Sequence, residues 1–385
     1  MKKNIAVIFG GRSVEHDVSI ITAHVPIIKS LQAIGEYDVW PVYISKDGNW
    51  YCDQVMNDFD FFKTGDFENK IKGLKKINIS FTDGFKIIWP SWRPKNLNID
   101  LAFPAMHGTY GEDGSLMGLL RLAKVPFVGC DIFASAVSMD KVLTKQVLEA
   151  EGLPVVPYIW FTSHDWQNDR LTLREKILSL NWPVYIKPVH LGSSIAISRI
   201  ENEKDLDNAI EVALHYDNKI LVEESVNNLI EVTLPIIGND KLELGGVERP
   251  LKNNNFFDFE GKYLSGGKKS SGLNSVYSEI PAKIDSDLLS EVERLGRETY
   301  RTIGCTGISR VDFLIDEKVK KVYINEVNTL PGSLYDHNWR KVGLSSVDLV
   351  KKLIVLAEEK FKNEDNITHT FKSEILKGVA GTKLK

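Results

Sequence analysis

The chain has 385 residues, 43% apolar and 26% charged, which suits a soluble globular protein of two or three domains. Lys plus Arg number 48 against 52 Asp plus Glu, a net charge of −4 that leaves no basic footprint for nucleic acid or an anionic membrane. No apolar run approaches the roughly 20 residues of a spanning helix, and Cys52, Cys130 and Cys305 are too scattered for a disulfide framework or a zinc site.

In chain order, the opening MKKNIAVIFGG is basic and then apolar, but its apolar part is too short for a secretory signal. It reads as a strand over 4–9 ending at Gly10-Gly11, and a cytoplasmic protein is expected. Ser13 can cap a helix running toward residue 34, and strands follow near 38–44 and 99–105. Residues 46–98 show no clear period. The segment 113–129 reads as helix then strand and closes a first unit near Gly129. Strands alternating with helices predict an α/β layer with a parallel sheet. A helix over 139–151 opens a second unit, with strands near 155–161, 183–188 and 194–200 and a helix over 203–215. From 219 onward longer strands lie close together, as antiparallel neighbours do. A helix near 284–304, strands over 307–315 and 319–327, and an amphipathic helix over 345–361 complete the pattern.

Several constellations carry chemistry. GISRVDFLID puts Arg310 and Asp312 two apart on one strand, and YINEVNTLPG puts Glu326 and Asn328 on one face of the next. Their hard oxygens interrupt buried sequence and suit Mg²⁺, which favours carboxylates plus phosphates. WPVYIKPVHLGSS ends an apolar strand with Lys187, and its Gly192-Ser193-Ser194 turn lets backbone N–H groups approach a phosphate. Lys141 in SMDKVLTK reads equally as a solvated helix residue, and Lys262 lies in a Gly-rich stretch suited to a lid or to an ordinary loop. FGGRSVEHDVS brings Glu15 to the carboxyl end of the first strand, and FPAMHGTYGEDG brings His107 to another strand end. A lone histidine is more often a packed, hydrogen-bonded one. The glycine turn lacks GxGxxG, which argues against a dinucleotide site.

These stretches, with LVEE, EVTLPIIGN and FDFEGKYL, resemble the D-alanine–D-alanine ligase family in order and spacing from Ile5 to about Leu356. The resemblance implies an ATP-grasp fold of class α/β (α+β), in three domains with an N-terminal parallel α/β domain. Those are a substrate domain over 1–130, ATP-grasp subdomains over 131–222 and 223–362, and a tail over 363–385. It implies ATP-dependent joining of two D-alanines for peptidoglycan synthesis, with ATP as substrate, two Mg²⁺ ions (Mn²⁺ in their place) and a homodimer. A related ligase with a different acceptor is the alternative.

By motif, Lys141 and Lys187 would hold the α- and β-phosphates, beside Ser194, and Lys262 the γ-phosphate. Glu223 would meet the adenine amino group, with Glu224 beside it, Val226 offering its backbone at the hinge and Glu231 the ribose contact. Asp312, Glu326 and Asn328 would bind metal, and Arg310 with the Gly332 N–H would face the oxyanion. Glu15, Ser193 and Tyr263 match the trio that closes over the first amino acid, and His107 would lie beside the substrates. After Gly332 the chain is shorter than the family's common form. Ser333 is expected to replace the usual serine for the acceptor carboxylate, with His337 or Asn338 as other donors.

Overall fold

The computed structural model describes residues 2–251 and 278–373. The first apolar run forms β1 (Lys3–Gly10), buried from Ile5 onward, which is the signature of a strand covered on both faces. β2 (Tyr37–Ile44) pairs with it in parallel and β3 (Trp50–Cys52) returns antiparallel to β2. The aperiodic stretch contains β4 (Asn78–Ser80), β5 (Phe85–Trp89) and β6 (Lys95–Ile99), a small antiparallel sheet. β7 (Leu101–Pro104) then pairs with β1 in parallel, giving the order β3-β2-β1-β7. The strand expected after the helix Ser115–Leu122 shrinks to one bridge between Ala102 and Phe127. Pro126 has no N–H to lend a ladder there.

The helical stretch after β1 begins at His16 and reaches Ile34, but its middle, Ala23–Ile28, is wound as a π-helix around Pro26. Proline removes the backbone donor that an α-helical turn needs. Ser13 does not cap it as expected. Its Oγ accepts the Glu15 N–H at 3.1 Å, and Glu15 itself is the N-cap residue, with no side-chain capping bond. The Glu15 carboxylate is thereby kept for another use.

The helix expected over 139–151 is found at Lys141–Ala150, and a further one, Ile132–Met139, precedes it; Asp140 turns extended between them and caps the second. β8 (Tyr158–Thr162), β9 (Val184–Pro188), β10 (Ser198–Ile200) and β11 (Lys219–Glu224) form an antiparallel sheet of order β10-β9-β11-β8. β12 (Leu229–Gly238) and β13 (Glu243–Leu244) are followed by a small pair, β14 (Arg249–Pro250) with β15 (Ser278–Glu279). β16 (Gly307–Asp316) and β17 (Lys321–Asn328) complete a third sheet of order β13-β12-β16-β17. The helix Ser286–Ile303 covers it, burying Leu288, Val292 and Leu295 against Val311, Phe313 and Ile324. The last long helix, Ser346–Asp365, buries Leu349, Leu353 and Ile354 in one cluster with Ile27 and Leu31 near the amino end. The two ends of the chain thus share a core.

Candidate active site

The acid cluster grows out of strand parity and one irregularity. β16 buries Val311, Phe313 and Ile315 and turns Arg310 and Asp312 to the other face. Arg310 stands opposite Asn328 and Asp312 opposite Glu326, and the register slips between Asp312 and Phe313 so that Phe313 faces Ile324. That bulge lets Ile324 and Val327 both enter the core while Glu326 keeps its side beside Asp312. Arg310 Nε and Nη2 each donate to a separate Asp312 oxygen at 2.6 Å, and Asn328 Nδ2 donates to Oδ2 at 3.2 Å. Burial opposes the Arg310 charge, but Asp312 more than reverses this and raises its pKa. Among the described residues no three His, Cys, Asp or Glu side chains converge as a metal cage. The two carboxylates and one amide fit instead a hard divalent cation whose remaining ligands come from a substrate.

On the second sheet, Lys187 of β9 faces Leu221 of β11, and Glu223 lies one diagonal away on the same face. Glu223 is fully buried and accepts a hydrogen bond from Lys187 at Oε1, while Lys145 Nζ stands 3.1 Å from Oε2. Oε2 has no aligned hydrogen-bond donor among the described residues. Burial raises the Glu223 pKa, but the two ammonium groups overcome it and bring it down to about 2. Lys187, partly buried beside it, is held above the ordinary lysine value because Glu223 outweighs its desolvation. Glu224, next along the strand, points to the opposite face and accepts the Asn181 backbone N–H at 2.9 Å and its Nδ2 at 3.0 Å. The Glu224 side chain therefore stands apart from the Glu223 cluster, and only its backbone leads to the turn at Val226. Val226 lies in the turn from β11 to β12, and Glu231 on β12 stands opposite Leu314 of β16.

Lys141 is no solvated helix residue. It begins the helix capped by Asp140, and its Nζ donates to the Leu191 carbonyl at 2.7 Å. Burial lowers its pKa, and Glu326, Glu223 and Glu15 offset part of that loss. One lysine is thus influenced by acids from the units of all three four-stranded sheets. Lys145, which the sequence reading does not assign, is four residues on and shares Lys141's helical face, the signal that marks it.

The Gly-Ser-Ser loop carries three residues with positive φ: Ser193 (55°), Ser194 (59°) and Ala196 (55°). Such conformations cost about 1 kcal/mol or more each and gather at functional sites. Ser193 Oγ donates to Glu15, tying this loop to the first unit. A Cβ on Gly108 would come within 2.8 Å of the Glu15 carboxylate, so the turn after His107 needs its glycine. His107 is buried, its Nε2 2.8 Å from Thr22 Oγ1. Thr22 Oγ1 also accepts the Ser333 N–H at 2.8 Å.

After Gly332, three successive residues, Ser333, Leu334 and Tyr335, are left-handed with φ of 50°, 53° and 54°. The tight turn carries Tyr335 under Arg310, whose guanidinium is 5.1 Å from the ring centroid, and to within 2.8 Å of Thr233 Oγ1. His337 Nε2 lies 2.9 Å from Glu248 Oε2. Asn338 is fully buried with both amide atoms engaged by Gly246, so it is not an available donor. Lys262, Tyr263 and the lid stretch lie outside the described residues.

This geometry has close counterparts. Family models described as the D-ala D-ala ligase N-terminus and C-terminus match residues 4–130 and 147–355. A D-alanine–D-alanine ligase of Thermosipho melanesiensis is 36% identical over 94% of this chain and 95% of its own length, and one of Clostridium novyi is 36% identical over 94% and 99%. Among solved structures, the D-alanine-D-alanine ligase from Coxiella burnetii superposes with a TM-score of 0.80 at 28% identity, covering 94% of this chain and 96% of that one. The VanG D-Ala:D-Ser ligase from Enterococcus faecalis gives 0.77 at 31% identity, covering 93% and 100%. The fold is that of the ATP-grasp enzymes, and no helix among the described residues is long and apolar enough to cross a membrane. On the match of both family models over most of its length, the chain belongs to the D-alanine–D-alanine ligase family.

Proposed function

We propose that this chain uses ATP to join two D-alanines through an acyl phosphate, releasing ADP and phosphate, and so supplies the dipeptide for peptidoglycan precursors. The observation that carries the reading is the pair of charged faces, Lys187 and Lys145 on buried Glu223 and Arg310 on Asp312 opposite Glu326, with Ser193 Oγ tying the Gly-Ser-Ser loop to Glu15. The proposed domains are 1–130, 131–222 and 223–362 with a tail over 363–385. They hold one four-stranded sheet each, with β11 running two residues past the second boundary.

A carboxylate is a poor electrophile until its oxygen carries a phosphoryl group, and phosphoryl transfer needs position and charge neutralisation more than covalent help. Lys187 leaves Glu223 for the incoming phosphates, joined by Lys141 and Ser194. Glu223 Oε2, lacking an aligned donor among the described residues, accepts from the adenine amino group, with Val226 offering its backbone and Glu231 the ribose contact. Asp312, Glu326 and Asn328 hold Mg²⁺ or Mn²⁺, which supplies charge neutralisation at the phosphates. Glu15 and Ser193 hold the ammonium of the first D-alanine, beside His107, with Tyr263 closing over it and Lys262 meeting the γ-phosphate. Arg310 and the Gly332 N–H stabilise the tetrahedral oxyanion formed when the second amine attacks. Exclusion of water protects the acyl phosphate from hydrolysis.

The shortened, left-handed turn at Ser333–Tyr335 favours attention to the acceptor as a second question. Ser333 is the proposed anchor for its carboxylate, which needs a partner when it leaves water. The experiment measures ATP turnover against D- and L-amino acids with products identified by mass. D-alanyl-D-alanine as main product, lost on chelation of divalent metal, is the expected result. D-serine or D-lactate preferred over D-alanine as acceptor would move the chain to the related-ligase reading, and an unchanged acceptor KM in Ser333→Ala would remove the anchor.

A further inference from the structure

Only two lysines among the described residues are buried, Lys145 and Lys360. Lys145 has Glu223 for a partner. Lys360, 8% exposed, pairs with no carboxylate among the described residues. Its Nζ donates to the Gly129 carbonyl at 3.2 Å and lies 3.9 Å from the centroid of the Phe127 ring. An ammonium has three N–H donors, so one carbonyl leaves most of its hydrogen-bonding capacity unused. Burial lowers its pKa, with Asp131 and Glu364 offsetting only part of that.

This lysine lines a cavity of about 280 Å³, between the last helix and the segment 121–127. The walls are apolar, from Leu122, Val125, Pro126, Phe127 and Phe361. Lys124 adds positive charge to the lining, and His369 an imidazole. Arg121 is engaged by Asp131 at 2.7 Å, and Glu364 and Asp365 are the acids present. An apolar chamber with a few placed polar groups is the usual form of a small-molecule site. A buried cation with no carboxylate in direct contact sets the sign of the ligand.

We propose that this cleft is a second binding site, separate from the ligase site, for a small monocarboxylate with an apolar body. The carboxylate meets Lys360 Nζ, and the body lies among Phe127, Pro126 and Phe361. Its position gives it leverage on the fold. The Gly129 carbonyl that holds Lys360 also accepts from Thr306 Oγ1 at 3.3 Å, and a Cβ on Gly129 would come within 3.0 Å of Leu330, two residues before Gly332. A ligand that draws the ammonium away from Gly129 therefore acts on the joint between the first unit and the loop bearing Gly332.

Calorimetric titration of the full chain with benzoate tests this, with benzyl alcohol as the uncharged control. Saturable benzoate binding, no binding of benzyl alcohol, and loss of benzoate binding in Lys360→Met are expected. Leu122 is 79% exposed at the cavity wall, so Leu122→Glu tests the site without touching its interior. The added negative charge should weaken benzoate by about tenfold or more. The site is overturned by a wild type that does not bind benzoate, by benzyl alcohol binding as tightly, or by Leu122→Glu binding as wild type does. A wild type that self-associates while Lys360→Met does not would mean that a second copy fills the cleft, which overturns the small-ligand assignment as well.

Discussion

At the central sheet two ammonium groups, Lys187 on the sheet and Lys145 on the helix beside it, share the single carboxylate of Glu223; on the C-terminal sheet one guanidinium, Arg310, is set against Asp312 and Glu326. Both faces are antiparallel ladders of otherwise apolar strands, so the contrast lies in charge rather than architecture. A surplus of positive charge in a buried place invites phosphate, and a surplus of carboxylate invites a metal cation. Each face is left with the charge that the other's ligand carries, and a metal nucleotide is a ligand that satisfies both. Neither face would be expected to bind its half tightly alone.

The comparison breaks most visibly if the acid face is removed. Glu326→Ala should lower kcat by about 10³-fold, the size of effect seen when a preorganised charge stabiliser is lost. Its urea midpoint should stay close to wild type, since Glu326 is on the face turned from the core. Wild-type turnover in this variant would withdraw the metal assignment. On the lysine face, Lys145→Met keeps the volume but removes one of the two charges on buried Glu223. Leaving that carboxylate less compensated should cost about 2 kcal/mol in urea unfolding. It should also raise the KM for ATP, because Lys187 is then less free to leave Glu223 for phosphate. A variant as stable as wild type, with unchanged ATP kinetics, would show that Lys145 does not share in that balance.

The same contrast shows what a sequence discloses. Arg310, Asp312, Glu326 and Asn328 are legible because strand parity fixes their faces and because polar residues interrupt buried runs. The bulge that lets Ile324 and Val327 both point inward is not legible, since nothing in YINEVN marks where a register slips. Lys145 is within the motif but hidden by its chemistry: a lysine on a helix is ordinarily solvated, and only the i,i+4 step from Lys141 hints otherwise. Strand alternation also separates the adjacent acids Glu223 and Glu224, sending the second to Asn181. The left-handed run at Ser333–Tyr335 has no glycine to announce it, and the antiparallel sheet within 46–98 is built of strands too short to show a period.

A smaller effect sharpens the role of the first unit, which contributes a single acid to the two charged faces. Glu15→Gln retains a partner for Ser193 Oγ but loses the charge proposed to hold an ammonium. The KM for the first D-alanine should rise about tenfold, about 1.4 kcal/mol, while ATP binding persists. Equal losses for ATP and amino acid would assign Glu15 to the loop's structure instead.

The smallest effect lies behind the lysine face, at the cap of the helix bearing Lys141 and Lys145. Asp140 Oδ1 accepts the Val142 and Leu143 N–H groups at 2.9 Å each, and Oδ2 accepts Lys219 Nζ at 2.7 Å with His190 Nε2 3.3 Å away. His190 Nδ1 lies 3.0 Å from both Asp217 oxygens. The hydrogen bonds to Asp140 and then Asp217 raise the His190 pKa to about 9, against the opposing effect of burial. The folded pKa exceeds the unfolded value near 6.5, so the folded state holds the proton more tightly. The stabilisation is complete below about pH 6.5 and disappears as the pH rises through about 9. The imidazole is 41% exposed, so solvent screening keeps the contribution to about 1 kcal/mol or less. Urea midpoints of wild type and His190→Gln should differ at pH 6 and converge near pH 9.5. A gap that is constant across this range would mean that His190 acts there by packing, and the cap would then hold the two lysines without help from its charge.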